Sequence, residues 1–249
     1  MFACFANHQF RLLRSLPRLK ILECYELNRG KSRGLYEKVK MNVHEGKVLQ
    51  RLLPGRFARW LDFKSMNKGH KPIYENVARV LKLKPEDDLL EVACGNGFFL
   101  KMYASHVHSV AGLDISELSV ALAMKKNKDR VTAGAAEFVC GEASQLPWED
   151  NKFSVATCMG TFPWLSKPFD TLKEIHRVLR PAGRVVISIE WHTADGIDRS
   201  KEIERFGHET WSEADVRDMF KAVGFWDISI TYAEGDRTHN MMIVHAAKH

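Results

Sequence analysis

Leu89-Leu-Glu-Val-Ala-Cys-Gly-Asn-Gly-Phe-Phe99 is the stretch on which the reading of this chain turns. An apolar run ends in an acid, Glu91, passes through the small residues Ala93, Gly95 and Gly97, and enters an apolar pattern that reads as a helix. A parallel sheet builds a nucleotide pocket in this way. Small residues let the backbone approach a ligand closely, and the helix that follows offers it unpaired N–H groups. Glycine-rich strand-to-helix turns occur in many α/β folds, so the downstream chain has to carry the rest.

Fourteen residues past the turn, Val110-Ala-Gly-Leu-Asp114 reads as a second buried strand ending in a carboxylate, with Ile115 next to it. At that place Asp114 accepts both hydroxyls of a ribose, or caps the helix beginning near Ser116. Both roles stay open. Phe138 to Trp148 gives a third strand and a polar loop containing Glu142 and Ala143. Phe153 to Leu165 gives a fourth strand, with Met159 near its end, and an aromatic loop. Ile175 to Ile187 gives a helix, a Pro/Gly stop and a fifth strand. Ser212 and Asp215 have the spacing of a capping box, and the helix through Val216, Met219, Phe220 and Val223 stops at Gly224. Two strands follow, Phe225–Tyr232 and Asn240–Ala246, joined across Gly235-Asp-Arg. The expected fold is α/β: a Rossmann-like, seven-stranded, mostly parallel sheet with helices on both faces and a C-terminal antiparallel hairpin that forms its edge.

These ordered motifs, from roughly His70 onward, resemble the class I S-adenosylmethionine-dependent methyltransferases, in particular the small-molecule branch whose loops read "GDAxxLPF" and "LKPGG". The resemblance implies S-adenosyl-L-methionine as cofactor and a small-molecule methyl acceptor, with the O, N, S or C nucleophile unresolved. It implies that Glu91, Ala93, Gly95 and Gly97 hold the methionine end, and that Asp114, with Ile115 beside it, binds the ribose. Glu142 and Ala143 then match the place that recognises adenine, and Met159 one that lines the cofactor on its sulfur side. Ala93 stands where the family usually has glycine, Glu91 and Glu142 where it usually has aspartate. Ser154 replaces an acid often found in the fourth strand and reads as structural.

A sulfonium methyl is already electrophilic, so a base is needed only when the acceptor must lose a proton. His192, just after the fifth strand and near Glu190, and His70, before the first core helix, are the candidates, with His208 further along. Phe162, Trp164 and Trp191 are candidates for shaping the acceptor pocket, although aromatics in such loops also serve plain packing. Two other functions share some of these features. A nicotinamide-dependent oxidoreductase would use the glycine turn and ribose acid, but Gly95 and Gly97 are followed by Leu100 rather than a third glycine. A non-catalytic or RNA-modifying relative is the other alternative; neither an Asn-Pro-Pro-Tyr-like run nor a Pro-Cys pair follows the fourth strand, which disfavours methylation of adenine amino groups or cytosine carbons.

Charge is informative once located. Residues 1–40 carry nine Lys/Arg and three Asp/Glu, which leaves 37 − 9 = 28 basic and 31 − 3 = 28 acidic groups over the rest. The basic balance therefore belongs to the extension, and the remainder lacks the surplus a nucleic-acid surface would want. The extension, with Arg11, Arg14, Arg18 and Lys20 among leucines, has the composition of an organelle-targeting segment or a membrane-surface helix, but reads first as disordered chain or as translated sequence upstream of a start at Met41. Residues 41–69 read as an N-terminal helical lid, and residues 70–249 as the core. Met66-Asn-Lys-Gly-His70 resembles the "MNxGH" start of some bacterial methyltransferases. No apolar run approaches the ~18 residues of a membrane span. Five cysteines, Cys4, Cys24, Cys94, Cys140 and Cys158, include no pair with a zinc or redox spacing. The last three, at strand ends, read as small buried apolar groups, and a cytoplasmic, reducing compartment is expected, with no metal.

Overall fold

The structure, a computed structural model, describes residues 70–190, 192–201, 204, 210–234 and 240–249. The extension, the lid with Asn67, Trp191, His208 and the Gly235-Asp-Arg turn lie outside these residues. Helix α1 (Lys71–Leu81) takes Pro72 in its first turn, where no backbone donor is required, and buries Ile73, Val77 and Leu81 at intervals of four. Along the chain follow β1 (Asp88–Val92), α2 (Phe98–Tyr103), β2 (Ser109–Asp114), α3 (Glu117–Lys126), α4 (Lys128–Thr132) and β3 (Ala136–Cys140). Then come β4 (Phe153–Met159), α5 (Pro168–Val178), β5 (Leu179–Ile189), α6 (Glu213–Val223), β6 (Phe225–Glu234) and β7 (Asn240–Lys248).

The seven strands lie in the order β3-β2-β1-β4-β5-β7-β6. β1 to β5 pair in parallel, whereas β7 runs antiparallel to both β5 and β6. The hairpin forms the antiparallel edge of the sheet, as expected. β7 slots inside, and β6 takes the rim. Burial explains the order: Met241, Met242, Ile243 and Val244 are buried in succession, so β7 needs cover on both faces, while Trp226 and Tyr232 on β6 are exposed.

Alternate residues of β1 go to opposite faces. Leu90 and Val92 join the core under α5 and α6, whereas Leu89 faces the core under α1, α2 and α3. Glu91 shares the face of Leu89. The foot of the sheet is pinned by Asp87, 2% exposed, which pairs with the Arg184 guanidinium and accepts from Ser154 Oγ (2.8 Å) and Lys84 N (2.7 Å). Ser154 Oγ also accepts from Asp88 N at 3.0 Å, so this side chain is structural, as read. The Pro/Gly signal falls inside β5 rather than before it. Pairing jumps from Phe153–Leu179 to Val155–Arg184, and the intervening residues bulge out with Ala182 at φ 59°.

Candidate functional site

The turn between β1 and α2 is the most contorted backbone of the core. Ala93 (φ 57°), Gly95 (φ 53°) and Gly97 (φ 66°) all lie in the left-handed region. Only glycine enters it without penalty, so Ala93 is held there against its preference. Gly97 has a second reason to be glycine: a Cβ there would stand 2.8 Å from Ala123 Cβ on α3. The turn is tied down from three sides. Cys94 N donates to Leu113 O (2.9 Å), Asn127 Nδ2 to Gly97 O (3.2 Å), and Gly95 N to Asp114 Oδ2 (2.8 Å).

Asp114 also accepts from Ser116 N through Oδ1 at 2.9 Å, but the helix cap is Ser116, whose hydroxyl accepts from Ser119 N. The carboxylate thus ties two loops together at the tip of β2. Burial pushes its pKa upward, and the Ser116 and Gly95 N–H groups oppose that shift. Ile115, beside it, leaves 53% of its surface exposed. The β3 loop is attached to the same tip, because Gly141 N donates to Asp114 O (3.1 Å). In that loop Ala143 is buried, Glu142 is exposed and its carbonyl accepts from Gln145 N. Cys140 is exposed, which corrects its expected burial; Cys94 and Cys158 are buried. β3 is the outermost strand, so its end is only partly covered.

Glu91 is the electrostatic oddity. It is 5% exposed, and its Oε2 is buried with no hydrogen-bond partner among the described residues. Burial first, then the Asp114 carboxylate, raise its pKa well above the ordinary range, against the pull of Lys126. Lys126 donates to Asn96 Oδ1 at 3.0 Å and lies 4.8 Å from the Phe98 ring centre; burial brings its pKa down to about 8.

A small cavity opens between the start of α1 and the tips of β4 and β5. It is lined by His70, Ile73, Tyr74, Met159, Gly160, Ser188, Glu190 and Met241. Gly160 N donates to Ser188 Oγ at 2.9 Å. The structure therefore brings His70, Met159 and Glu190 together. It leaves His192 apart: this side chain is 1% exposed, its ring is 5.3 Å from that of Tyr232, and its carbonyl accepts from Arg199. The backbone of His192 bridges to Trp211 beneath the buried Asp195–Arg199 pair. Phe162 is fully buried against Trp211, 5.9 Å between ring centres, which makes it packing rather than pocket wall. Tyr74 and Ser188 were not singled out from sequence. The signal existed: Tyr74 follows His70 by one helical turn, and Ser188 precedes Glu190 by two residues of extended chain.

Residues 90–187 match the family model described as "Methyltransferase domain". Over 133 residues the chain is 34% identical to 24-methylenesterol C-methyltransferase 2 of Arabidopsis thaliana, covering 51% of this chain and 37% of that protein. It is 31% identical over 150 residues to demethylmenaquinone methyltransferase of Staphylococcus saprophyticus, covering 59% and 61% respectively. The chain thus spans between about a third and three fifths of the length of these relatives. Two solved structures share the fold. Geranyl diphosphate C-methyltransferase of Streptomyces coelicolor A3(2) has TM-score 0.60 at 14% identity, over 71% of this chain and 78% of that one. Phosphoethanolamine N-methyltransferase 2 of Haemonchus contortus has TM-score 0.61 at 16% identity, over 71% and 52%.

Proposed function

We propose that this chain, whose residues 90–187 match a methyltransferase-domain model, is a class I methyltransferase that uses S-adenosyl-L-methionine to methylate a small-molecule acceptor. One observation carries the reading: the orphaned Glu91 Oε2 lies under a turn with three left-handed residues, beside a second carboxylate at the neighbouring strand tip. A buried acceptor without a partner fits a cationic donor, and the methionine ammonium is one. In this reading the backbone of Ala93, Gly95 and Gly97 follows the methionine end. Asp114 receives the ribose, and exposed Ile115 offers an apolar surface to the adenine ring. Glu142 and the Ala143 N–H meet the adenine edge, and Met159 lines the sulfur side.

The cofactor supplies an electrophilic methyl group, and the chain has to align the acceptor and exclude water. His70 is the better placed of the two expected bases for an acceptor that must lose a proton, because it lines the cavity with Met159. His192 is packed under Tyr232 and acts as a core group. The relatives named above point to a sterol or quinone carbon as first acceptors to try. The balance of charge outside residues 1–40 supports a small molecule over a nucleic acid, and unpaired Cys94, Cys140 and Cys158 support a reducing, cytoplasmic compartment. Among the described residues no helix is long and apolar enough to cross a membrane.

Calorimetric titration with S-adenosyl-L-methionine, S-adenosyl-L-homocysteine and NAD tests the cofactor, and transfer of a radiolabelled methyl group to a panel of sterols, quinones and amines tests the activity. Saturable binding of the two sulfur ligands is expected, with no heat from NAD. Binding of NAD alone would overturn the reading.

A further inference from the structure

Building on the cofactor reading above, we propose that Glu190 reads the positive charge of the sulfonium, so that the chain holds the charged methyl donor more tightly than the neutral thioether left after transfer. Glu190 follows the tip of β5, on the same side of the extended chain as Ser188, and lines the cavity with Met159 and Gly160. Its carboxylate reaches β4 at the one place where that strand tip has no side chain. A Cβ built on Gly160 would stand 3.1 Å from Glu190 Oε1, so a larger residue there would push the carboxylate away.

A second acid approaches from the other side. β1 pairs with β4, with Val92 opposite Cys158, which puts Glu91 one strand away from Met159. Tyr74, on the α1 side of the cavity, registers both acids: after burial, the charges of Glu91 and Glu190 are what lift its phenol above the ordinary value. Glu190 and Tyr74 line the small space itself, and Glu91 stands behind it on the neighbouring strand. That set suits a cation, which an ionised Glu190 attracts at close range and Glu91 from one strand further away.

Methyl transfer removes the charge from this place. The sulfur–carbon bond breaks with its electron pair going to sulfur, and the new bond to the methyl carbon uses the acceptor's pair. The product sulfur is then neutral, and Glu190 no longer has a charge there to attract. The carboxylate therefore favours the donor over the spent product, which limits product inhibition without any moving part.

Titration of the full chain with S-adenosyl-L-homocysteine and with sinefungin isolates this effect, because sinefungin carries a protonated amine where the sulfonium stands. Glu190→Gln, nearly isosteric, is expected to lower sinefungin affinity about tenfold and to leave homocysteine-product affinity within about twofold. Glu190→Asp, which keeps the charge but withdraws it by one methylene, is expected to fall between. Both ligands bound by every variant with an unchanged preference, or weakened equally, would overturn the inference alone. A wild-type chain that binds neither ligand would overturn the cofactor reading and this inference with it.

Discussion

Three side chains in the site are held under tension, and each yields a measurable consequence. Glu91 is a buried acid whose pKa is raised, so the folded chain binds its proton more tightly than the unfolded chain does. Stability is then highest below the unfolded value and is lost as pH climbs through the range between the unfolded and folded values. Glu91→Gln removes that loss: it is expected to stabilise the ligand-free protein by about 1–2 kcal/mol at pH 7–8 and by little below about pH 4. Denaturant melts across pH check this, and the same variant should bind S-adenosyl-L-homocysteine more weakly. Ala93 tests the backbone. Its left-handed φ of 57° costs an alanine roughly 1 kcal/mol, so Ala93→Gly should raise stability by about that much while preserving ligand affinity. Asp114 couples the turn to β2 through Gly95, so Asp114→Ala should cost ligand affinity at least about tenfold in a protein that still folds. Calorimetry on the folded variant would detect an unchanged affinity and reject the ribose role.

At the scale of elements, the sequence was most readable where local chemistry decides and least where packing does. The turn after β1, the acid closing β2, the Ser212–Asp215 capping box and the Gly224 stop of α6 all needed only neighbouring residues, and all are present. The place of β7 needed more. A hairpin announces its own pairing, but whether its second strand enters the sheet depends on which faces the helices cover, a long-range matter. The Pro181-Ala182-Gly183 bulge was read as a stop for the same reason, since a breaker looks alike before a strand and within one. His192 shows the limit for function: its position after β5 pointed to the crevice, yet the chain bends at Glu190 and the ring ends beside Tyr232. With an acceptor that must lose a proton, His70→Ala is therefore expected to slow turnover roughly 100-fold, while His192→Ala lowers the melting temperature and changes turnover far less. Elements are joined at the foot of the sheet by the buried Asp87–Arg184 pair, which links the start of β1 to β5 and to the end of α1 through Leu81 O. Arg184→Met leaves Asp87 charged and unpaired, and should cost about 3–5 kcal/mol in denaturant unfolding. Asp87 lies at the end of β1 opposite Glu91, so ligand affinity of the folded fraction should not change.

Across the whole molecule, charge separates two parts that the chain joins. All six surplus positive charges sit in residues 1–40, while residues 41–249 carry 28 groups of each sign. The proposed cofactor site, with carboxylates at Glu91, Asp114 and Glu142, gains nothing from that surplus, since a basic segment close to these acids would compete with the cationic end of the ligand. Among the described residues, the backbone contacts that tie the strand tips together run between Cys94 and Ser188. A chain shortened to residues 41–249 is therefore expected to bind S-adenosyl-L-homocysteine with an affinity within about twofold of the full chain, at low and at physiological salt. Only the full chain should bind strongly to a cation exchanger at neutral pH, because the shortened one has no net charge there. If the shortened chain instead loses the ligand while keeping its melting temperature, residues 1–40 contribute to the pocket, and the division between a basic extension and a self-sufficient core is wrong.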